Sequence, residues 1–400
     1  MSQGALAGLR VLDLTDEMGV YTPKLLADLG ADVICVEPPE GSPVRRLPPF
    51  YRGQPGAEDS LFHWWMNTSK RSVVADLNTS DGRGFFRDLV RSAQILVTSG
   101  APAALARRGL TYTALAEVNP GLVMTTITPF GLDGALADYA ADDLVLLAMG
   151  GLMYLAGYPG EHPTAVYGYQ SYLAGSLFGA VGTMIAAYEA AESGLGQLVE
   201  VSIQEAVAHA LESAAQQYDL NGVVRQRTGA NQQGAGFGLY PCQDGLVFLA
   251  IGLVGGQIEG TWRALTSWLA GVPEAAILSD PRWLDGQYRG TAEAERTFYE
   301  IFARFTRDKT KQELYRSGQA LGVTICPVCT LDDLAHDEQL LARDFFVRVD
   351  HPELGASFLY PGAPYRLQRT PWRISRRAPR LGEHTAQLRA ELLETRKEAG

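Results

Sequence analysis

Three pairs of basic residues are the side chains best suited to bind an anionic ligand. They are Arg45-Arg46 after a turn-rich loop, Lys70-Arg71 on a loop that leads into a strand, and Arg107-Arg108 at the end of a helix. Guanidinium and ammonium groups bind phosphates through charge-assisted hydrogen bonds. Exposed basic pairs are more often only solvated. The residue types therefore permit phosphate binding without establishing it.

The cysteines and histidines do not form a recognisable metal site. Cys326 and Cys329 form a single C-x-x-C, which cannot fill a tetrahedral zinc site by itself, and no second pair is present. The six histidines show no metal-binding spacing. Because the two cysteines follow an apolar run, we expect buried structural thiols rather than a redox centre. The sequence predicts no metal.

The composition argues against several classes of protein. The 400 residues include 34 basic and 45 acidic side chains, which gives a net charge of −11. That charge argues against a general binder of nucleic acid or of an anionic membrane. Four cysteines indicate a reducing compartment, and the N-terminal residues lack the basic and apolar regions of a secretion signal. We therefore expect a cytoplasmic protein.

Alternating strands and helices predict an α/β fold. Strands are predicted at residues 9–14, 30–37, 73–77, 95–98, 123–127 and 197–201. This alternation is typical of a doubly wound, mostly parallel sheet, whose ligands bind at the carboxyl ends of the strands. Thr15–Gly19 follows the first strand, where a dinucleotide-binding fold carries Gly-x-Gly-x-x-Gly. We therefore expect no nicotinamide or flavin dinucleotide.

A long apolar helix is predicted from Tyr172 to Glu192. Its large apolar residues, among them Val181 and Ile185, fall at helical spacing, which predicts that they are buried. Glycine inside a helix costs roughly 0.5–1 kcal/mol relative to alanine. Three recurring glycines therefore predict close approach of this helix to a neighbour, and they favour a core helix over a membrane span. They are Gly175, Gly179 and Gly182.

The chain changes character after the α/β part. Residues 222–238 are polar and glycine-rich, and Asp244-Gly245 then separates two apolar runs, which predicts a β-hairpin. Helices dominate from there to about Gly322. We predict a large Rossmann-like domain from residues 1–210, completed by 330–400, and a smaller inserted α+β domain at 225–325. Residues 200–225 and 320–335 would connect the two domains.

A series of short motifs resembles CoA-transferase family III, the group of the formyl-CoA and carnitine CoA-transferases and the 2-methylacyl-CoA racemases. Each motif is weak alone, but their order along almost the whole chain is specific. The matching segments are Leu29–Ile34, Asn67–Ser72, Asn119–Val123, Gly194–Gln197, Glu205-Ala206, His351–Gly355 and Ala378–His384.

The resemblance implies a large domain built from both chain ends, a small inserted domain, and two protomers interlinked as a dimer. It also implies acyl-CoA and a carboxylic acid as substrates, with coenzyme A as the ligand. The residues implied to bind CoA are Lys70, Arg71, Arg107 and Arg45. The glycine-rich segment resembles a loop that covers the active site, with an interdomain linker as the alternative. Its glycines are Gly234, Gly236 and Gly238.

The residue that carries the family's chemistry is missing. The family uses an aspartate four residues before Gly175 as its nucleophile, and Ser171 stands there instead. A serine ester is a poor acyl carrier, because its leaving group is an alkoxide, and no obvious base lies beside Ser171 in the sequence. We therefore expect Ser171 to cap a helix or to line the CoA pocket.

Another carboxylate could replace the missing aspartate. Glu17, in the first βα loop, aligns with a polar residue close to the thioester in formyl-CoA transferase and is the preferred candidate. The alternative interpretation is that Glu17 is only an exposed acid in a loop. Asp143 matches a recurrent family acid, for which we expect a structural capping role. Asp142 occupies the place of the racemase histidine, which argues against racemisation by that mechanism.

Two functions are consistent with these residues. In the first, the chain transfers CoA between a thioester and a carboxylic acid, or performs a related acyl-CoA reaction, by an altered catalytic step. In the second, it is a non-catalytic subunit that forms a heterodimer with an aspartate-containing paralogue, whereas the first permits a homodimer. An engineered replacement of the aspartate is a third explanation of Ser171.

Overall fold

The computed structural model of this protein describes residues 4–229, 234–251 and 258–399. The strands are β1 (Arg10–Leu14), β2 (Asp32–Glu37), β3 (Arg71–Val74), β4 (Ile95–Ser99), β5 (Val123–Thr128), β6 (Leu198–Ser202), β7 (Phe237–Cys242), β8 (Gly245–Ala250), β9 (Ile325–Pro327), β10 (Phe346–His351) and β11 (Ala356–Pro361).

Helices separate most of these strands. They are α1 (Tyr21–Asp28), α2 (Leu61–Met66), α3 (Ser80–Ser92), α4 (Pro102–Arg107), α5 (Tyr112–Ala116), α6 (Asp143–Met149), α7 (Leu152–Leu155), α8 (Gln170–Ser193), α9 (Ile203–His209), α10 (Ala214–Asn221), α11 (Ile258–Trp268), α12 (Gly286–Arg289), α13 (Ala292–Thr306), α14 (Lys311–Ala320), α15 (Leu331–Ala335), α16 (Glu338–Ala342) and α17 (Thr385–Ala399).

The chain divides into two compact units. The large unit contains the residues up to Leu152, Ala165–Ala215 and the residues from Glu338 onward. The small unit contains Met153–Thr164 and the described part of Gln216–Asp337. The short excursion at 153–164 belongs to the small unit, which the sequence does not suggest.

The large unit is built on a six-stranded parallel sheet in the order β3-β2-β1-β4-β5-β6. This arrangement confirms the predicted doubly wound sheet. The order reverses between β1 and β4, so a crevice opens at the carboxyl ends of these two neighbouring strands. Residues in the middle of both strands, such as Leu12 and Leu96, are fully buried, as expected for strands covered on two faces.

Both ends of the chain contribute to the core of the large unit. On one face of the sheet, Phe85 and Leu89 of α3 pack with Leu388 of α17 against the strands. The C-terminal helix therefore completes a core that begins with β1. Helix α8 covers β5 and β6 on the opposite face, beside α1.

Helix α8 buries the opposite side from the one predicted. Its large apolar residues are exposed, with Val181 at 57%, Ile185 at 67% and Tyr188 at 75% exposure. The buried residues are small: Ser171, Gly175, Ser176, Gly179, Thr183 and Ala186, joined by Tyr172. The prediction was wrong because the helix is apolar on most of its surface. Close packing on the sheet therefore selects the face with little side-chain volume rather than the most hydrophobic one.

The glycines of α8 are needed for this close packing, as predicted. A Cβ atom on Gly175 would lie 2.8 Å from Ile203, and one on Gly179 would lie 2.8 Å from the Thr22 hydroxyl and 2.9 Å from Ile127. The Thr22 hydroxyl also donates a hydrogen bond of 2.6 Å to the Ser176 carbonyl. Helix α1 thus packs closely enough on α8 for one of its side chains to bond to the backbone of α8.

Substituting alanine for Gly179 is expected to destabilise the protein by about 1–3 kcal/mol, because the new methyl overlaps Thr22 and Ile127. The matched control is Gly84→Ala in α3, where no atom lies within 4 Å of the added Cβ. That change should stabilise the protein by about 0.5–1 kcal/mol through helix propensity. Urea unfolding checks both variants, and equal stabilities would contradict the packing described.

By length and hydropathy, α8 is a candidate membrane span. It has 24 residues, is long and apolar enough to cross a membrane, and is only partly buried within this chain. A single helix of this kind is weak evidence, since core helices of soluble proteins share these properties. Its intimate packing on β5 and β6 agrees with the predicted role as a core helix.

The small unit has an antiparallel sheet in the order β7-β8-β9 and its own aromatic core. The predicted hairpin is β7–β8, with Cys242 paired to Gly245 across the turn. Cys326 and Cys329 are exposed, so the expectation of buried thiols was wrong. In β9 the side chain of Ile325 points into the core, and the alternation of a strand turns Cys326 outward.

The predicted active-site glycines lie in the small unit, where all three are buried. Gly234 packs against the backbone of Arg289, and Gly236 contacts Trp262 and Ile251 with a φ of +91°, a conformation that favours glycine. Gly238 is part of β7. The described end of the segment is thus packed rather than an exposed loop. The remainder of the predicted loop, residues 230–233, lies outside the described residues.

Candidate active site

A carboxylate and a hydroxyl are hydrogen-bonded to each other at the carboxyl ends of β1 and β4, where the strand order reverses. Asp16 follows β1 and Ser99 ends β4. The Ser99 hydroxyl donates a 2.6 Å hydrogen bond to Asp16 Oδ1 and accepts one of 2.8 Å from the Asp16 amide. The Met18 amide also donates to Asp16 Oδ1. Burial raises the pKa of Asp16 in spite of these hydrogen bonds. Asp16 is not among the predicted site residues, although its position shortly after β1 could have indicated it.

Glu17 lies beside Asp16 with its side chain half-buried. Its Oε2 atom is shielded from solvent and has no hydrogen-bond partner among the described residues. Burial raises the pKa of Glu17, and the neighbouring charge of Asp16 adds to this effect. Glu17 is therefore not the exposed loop acid that the sequence left as an alternative. Its predicted catalytic role stays a prediction.

Ser171 stands in the first turn of α8 and is completely buried. Its hydroxyl donates a 2.7 Å hydrogen bond to Asp143 Oδ1, and its amide donates one of 2.9 Å to the same oxygen. No base lies beside Ser171 in the sequence, but the fold brings the carboxylate of Asp143 to it. The Asp143 carboxylate thus accepts a hydrogen bond from the Ser171 amide at the start of α8, so Ser171 itself does not act as the cap of this helix.

Asp142 and Asp143 have different roles at the start of α6. Asp142 is the N-cap of that helix, since its Oδ1 accepts a 2.9 Å hydrogen bond from the Val145 amide. Asp143 is the first helical residue, half-buried, and its carboxylate turns to α8. The capping role expected of Asp143 is thus directed at α8, while Asp142 caps its own helix.

Tyr172 lies close enough to Glu17 and Asp143 for the charges of both to act on its phenol group. It is buried, and its ring stacks on Tyr169 with centroids 5.4 Å apart. Burial raises the pKa of Tyr172, and the negative charges of Glu17 and Asp143 raise it further. The loop after β1 also contacts α8 directly, because the Ser176 hydroxyl donates to the Met18 carbonyl. Carboxylates from two different loops thus converge near the first turns of α8.

Lys70 is fully buried and uses its ammonium group within the fold. It donates hydrogen bonds of 2.8 Å to Asp13 Oδ2 and 2.9 Å to Asn67 Oδ1, with a longer one of 3.4 Å to the Val20 carbonyl. An ammonium group has three N–H donors, and all three have partners. Lys70 therefore has no donor left for a phosphate in this arrangement, and its role in CoA binding stays a prediction.

Asn67 extends the Lys70 contact to a buried histidine. The Asn67 amide lies 2.9 Å from His63 Nδ1, and His63 Nε2 lies 3.2 Å from the Pro379 carbonyl. Because a carbonyl only accepts, Nε2 carries the proton and Nδ1 accepts. Burial, with Arg45 nearby, lowers the pKa of His63 to about 3. This imidazole is therefore neutral at ordinary pH and structural.

Arg45 and Arg71 are also bound to internal acids. Arg45 is fully buried and forms a two-pronged ion pair with Glu37 at 2.7 and 2.8 Å. Arg71 forms the same kind of pair with Asp32, which begins β2, and also contacts Glu391. Asp32 marks the amino edge of the sheet, so Arg71 lies away from the crevice, which opens at the carboxyl edge. Glu37 ends β2 at the carboxyl edge, so Arg45 lies on the side of the crevice, but its guanidinium is buried and bound to Glu37.

Arg107 is the one predicted CoA ligand that is exposed. It ends α4, which follows Ser99 after a short turn, and Arg108 beside it is exposed as well. Within the described chain Arg107 makes no ion pair. Its guanidinium is thus available to an anion that extends outward from the crevice. Across the same described residues, no group of three or more histidine, cysteine or acidic side chains could hold a metal ion.

Comparison with known proteins agrees with this architecture. The model of CoA-transferase family III matches residues 6–385. The chain is 41% identical over 384 residues to succinyl-CoA:(R)-benzylsuccinate CoA-transferase subunit BbsE of Thauera aromatica, covering 96% of this chain and 93% of that protein. It is 31% identical to succinyl-CoA–D-citramalate CoA-transferase of Chloroflexus aurantiacus, covering 97% of this chain and 94% of that enzyme.

A solved structure shares the whole fold. A CaiB/BaiF family protein from Brucella suis superposes with a TM-score of 0.86 at 27% identity, covering 98% of this chain and all of that one. The family match spans the sheet, the inserted unit and most of the C-terminal part, so the predicted resemblance is confirmed. This chain belongs to CoA-transferase family III.

Proposed function

We propose that this protein transfers CoA from a succinyl-CoA-like thioester to a second carboxylic acid. Both relatives named above use succinyl-CoA, and their acceptors, benzylsuccinate and citramalate, are dicarboxylic acids by name. The arrangement that carries the proposal is the group of carboxylates at the start of α8, where Asp143 binds Ser171 and the charges of Asp143 and Glu17 both act on Tyr172. An acyl-CoA exchange needs a carboxylate there, because anhydride and thioester bonds to it form and break readily.

Coenzyme A is the ligand of this proposal, and Arg107 is its preferred phosphate partner. The exposed guanidinium stands one short helix away from the crevice, and a CoA molecule is long enough to place its thioester inside and its phosphates outside. Lys70, Arg45 and Arg71 would support the site through the fold, because each is bound to an internal carboxylate. We expect no metal, no nucleic acid and no membrane as partners, and a cytoplasmic location.

The second candidate function is that of a non-catalytic subunit. Two observations favour it: Ser171 replaces the nucleophile, and the relative BbsE is itself a subunit. The exposed apolar side chains of α8 supply a surface for a second chain, whether identical or an aspartate-containing paralogue. They are Leu177, Phe178, Val181, Ile185 and Tyr188, which we call the α8 face. Contiguous exposed apolar side chains of this kind mark interaction surfaces.

One experiment separates the two functions. The purified chain and its Ser171→Asp variant are incubated with acyl-CoA donors, including succinyl-CoA, and with a panel of free carboxylic acids, and new thioesters are measured by mass spectrometry. We expect the unaltered chain to transfer CoA to at least one dicarboxylic acid. Transfer only by the variant would identify a disabled scaffold. Absence of transfer in both would contradict the proposed function.

A further inference from the structure

We infer that the carboxylate of Asp143 has taken over the role of acyl and CoA carrier in this protein. The inference rests on the proposed function and specifies which atom reacts. It starts from the hydrogen bond between Ser171 and Asp143, two residues that are 28 positions apart in the chain and meet only in the fold.

The first argument is the orientation of the carboxylate. Both donors of Ser171, the amide at 2.9 Å and the hydroxyl at 2.7 Å, bind the same oxygen, Oδ1. No hydrogen bond or ion pair holds the other oxygen, Oδ2, within the parts of the chain that the structure describes. One oxygen is thus fixed by two donors while the second is available to react. A nucleophile held in this way needs little reorganisation before attack.

The second argument is that Ser171 also changes the charge around Asp143. The Ser171 hydroxyl lies within hydrogen-bond distance of Asp143 Oδ1. An aspartate at position 171 would place a second carboxylate beside Asp143, and neighbouring like charges disfavour the ionised form of each other. Serine instead supplies a donor to Asp143. At the start of α8 the carboxylate that remains beside position 171 is therefore that of residue 143.

The third argument compares Asp143 with Glu17. Glu17 presents an oxygen that is shielded and without a partner among the described residues, and burial raises its pKa. A raised pKa favours the protonated form of a carboxyl group, which is the poorer nucleophile but can donate a hydrogen bond. Asp143 is anchored by two donors and remains half-exposed. The geometry therefore assigns the covalent step to Asp143.

The chemical steps balance without any further reactant. Asp143 Oδ2 attacks the carbonyl carbon of the donor thioester, the C–S bond breaks, and CoA leaves as a thiolate while Asp143 and the acyl group form a mixed anhydride. The thiolate then attacks the Asp143 carbonyl carbon, which releases the donor as a free carboxylate and leaves an aspartyl-CoA thioester. The acceptor carboxylate attacks this thioester to form a second anhydride, and the returning thiolate attacks the acceptor carbonyl. The products are acceptor-CoA and free Asp143.

The test is to trap and locate the covalent intermediate. The purified protein is incubated with succinyl-CoA, quenched with hydroxylamine, digested and analysed by peptide mass spectrometry, while CoA transfer is measured in parallel. We expect a hydroxamate on Asp143. Asp143→Asn preserves an acceptor for both Ser171 donors, so its fold should persist, and it should lose transfer by on the order of a thousand-fold or more together with the adduct.

Two further variants define the role. Asp142→Asn removes an identical charge one residue away and keeps a good N-cap, so it should retain both transfer and the adduct. Ser171→Ala removes one of the two donors to Oδ1 and should slow transfer by roughly 3–10-fold. A hydroxamate on Glu17 or Ser171, or full transfer by Asp143→Asn, would overturn the inference and leave the proposed function standing. No adduct and no transfer by the unaltered protein would overturn both.

Discussion

Lys70→Met is expected to lower the free energy of unfolding of the large unit by about 3–5 kcal/mol. Methionine fills a similar volume but cannot donate, so the carboxylate of Asp13 is left buried without its cation. Asp13 Oδ1 keeps the Thr15 donors, but Oδ2 loses the 2.8 Å ammonium contact. Removing one member of a buried ion pair is strongly destabilising for this reason. Chemical unfolding, followed by a probe in the large unit, measures the effect.

Two controls show whether the loss comes from the uncompensated charge. Adding Asp13→Asn to Lys70→Met removes the orphaned carboxylate and should recover a large part of the stability. Arg107→Met, at an exposed position, should change stability by no more than about 0.5 kcal/mol and should instead weaken CoA binding. If Lys70→Met left stability unchanged but abolished CoA binding, Lys70 would be a phosphate ligand after all.

Val181→Glu combined with Ile185→Glu is expected to abolish association through the α8 face. These side chains are 57% and 67% exposed in the single chain, and burying a side chain of this size gains roughly 1.5–3 kcal/mol. Two carboxylates in their place would have to be desolvated without partners, which adds a further penalty. Sedimentation of the purified protein should show an assembly of two chains for the unaltered sequence and a single chain for the variant.

The control adds the same two charges elsewhere on the large unit. Ser80→Glu with Gly84→Glu lies on the exposed side of α3 and should leave the assembly intact. The double variant of α8 should also keep its native circular dichroism, because the substituted side chains point away from the sheet. An unaltered protein that sediments as one chain at all concentrations would exclude self-association and would leave a paralogous subunit as the partner for this surface.

The sheet was predictable from the sequence because each strand is a short apolar run followed by a helix. The predicted strand at 95–98 is β4 (Ile95–Ser99), and the one at 123–127 is β5 (Val123–Thr128). The third strand was displaced, since β3 is Arg71–Val74 rather than 73–77. Its first two residues are polar but buried, because Arg71 forms an ion pair with Asp32 and Ser72 donates a hydrogen bond to Glu37. Hydrophobicity alone cannot detect that kind of burial.

Hydrophobic periodicity could not predict the buried face of α8, because both faces of the helix are apolar. Periodicity identifies a stripe of large side chains, but it does not tell whether that stripe meets the sheet of its own chain or another surface. The glycines did carry the relevant information. Gly175 and Gly179 mark the side of close approach, and giving their positions more weight than those of Val181 and Ile185 would have oriented the helix correctly.

The partners of the basic residues could not be predicted from the sequence for a different reason. A sequence lists cations but does not show their partners, and Lys70 and Arg45 find theirs in Asp13 and Glu37, which are 57 and 8 residues away. The partner of Ser171 could not be predicted from the sequence either, since Asp143 reaches it from another helix. Proximity in sequence identified the missing aspartate, whereas the group that could replace it was visible only in the fold.

The central claim, that this protein exchanges CoA between carboxylic acids by a carboxylate-bound intermediate, is tested most directly by isotope exchange. The purified protein is incubated with succinyl-CoA and isotopically labelled succinate, without any other acid, and label in succinyl-CoA is followed over time. The account predicts that label enters the thioester in the unaltered protein and fails to enter in Asp143→Asn. Absence of exchange at any protein concentration, in a preparation that is folded and assembled, would contradict it.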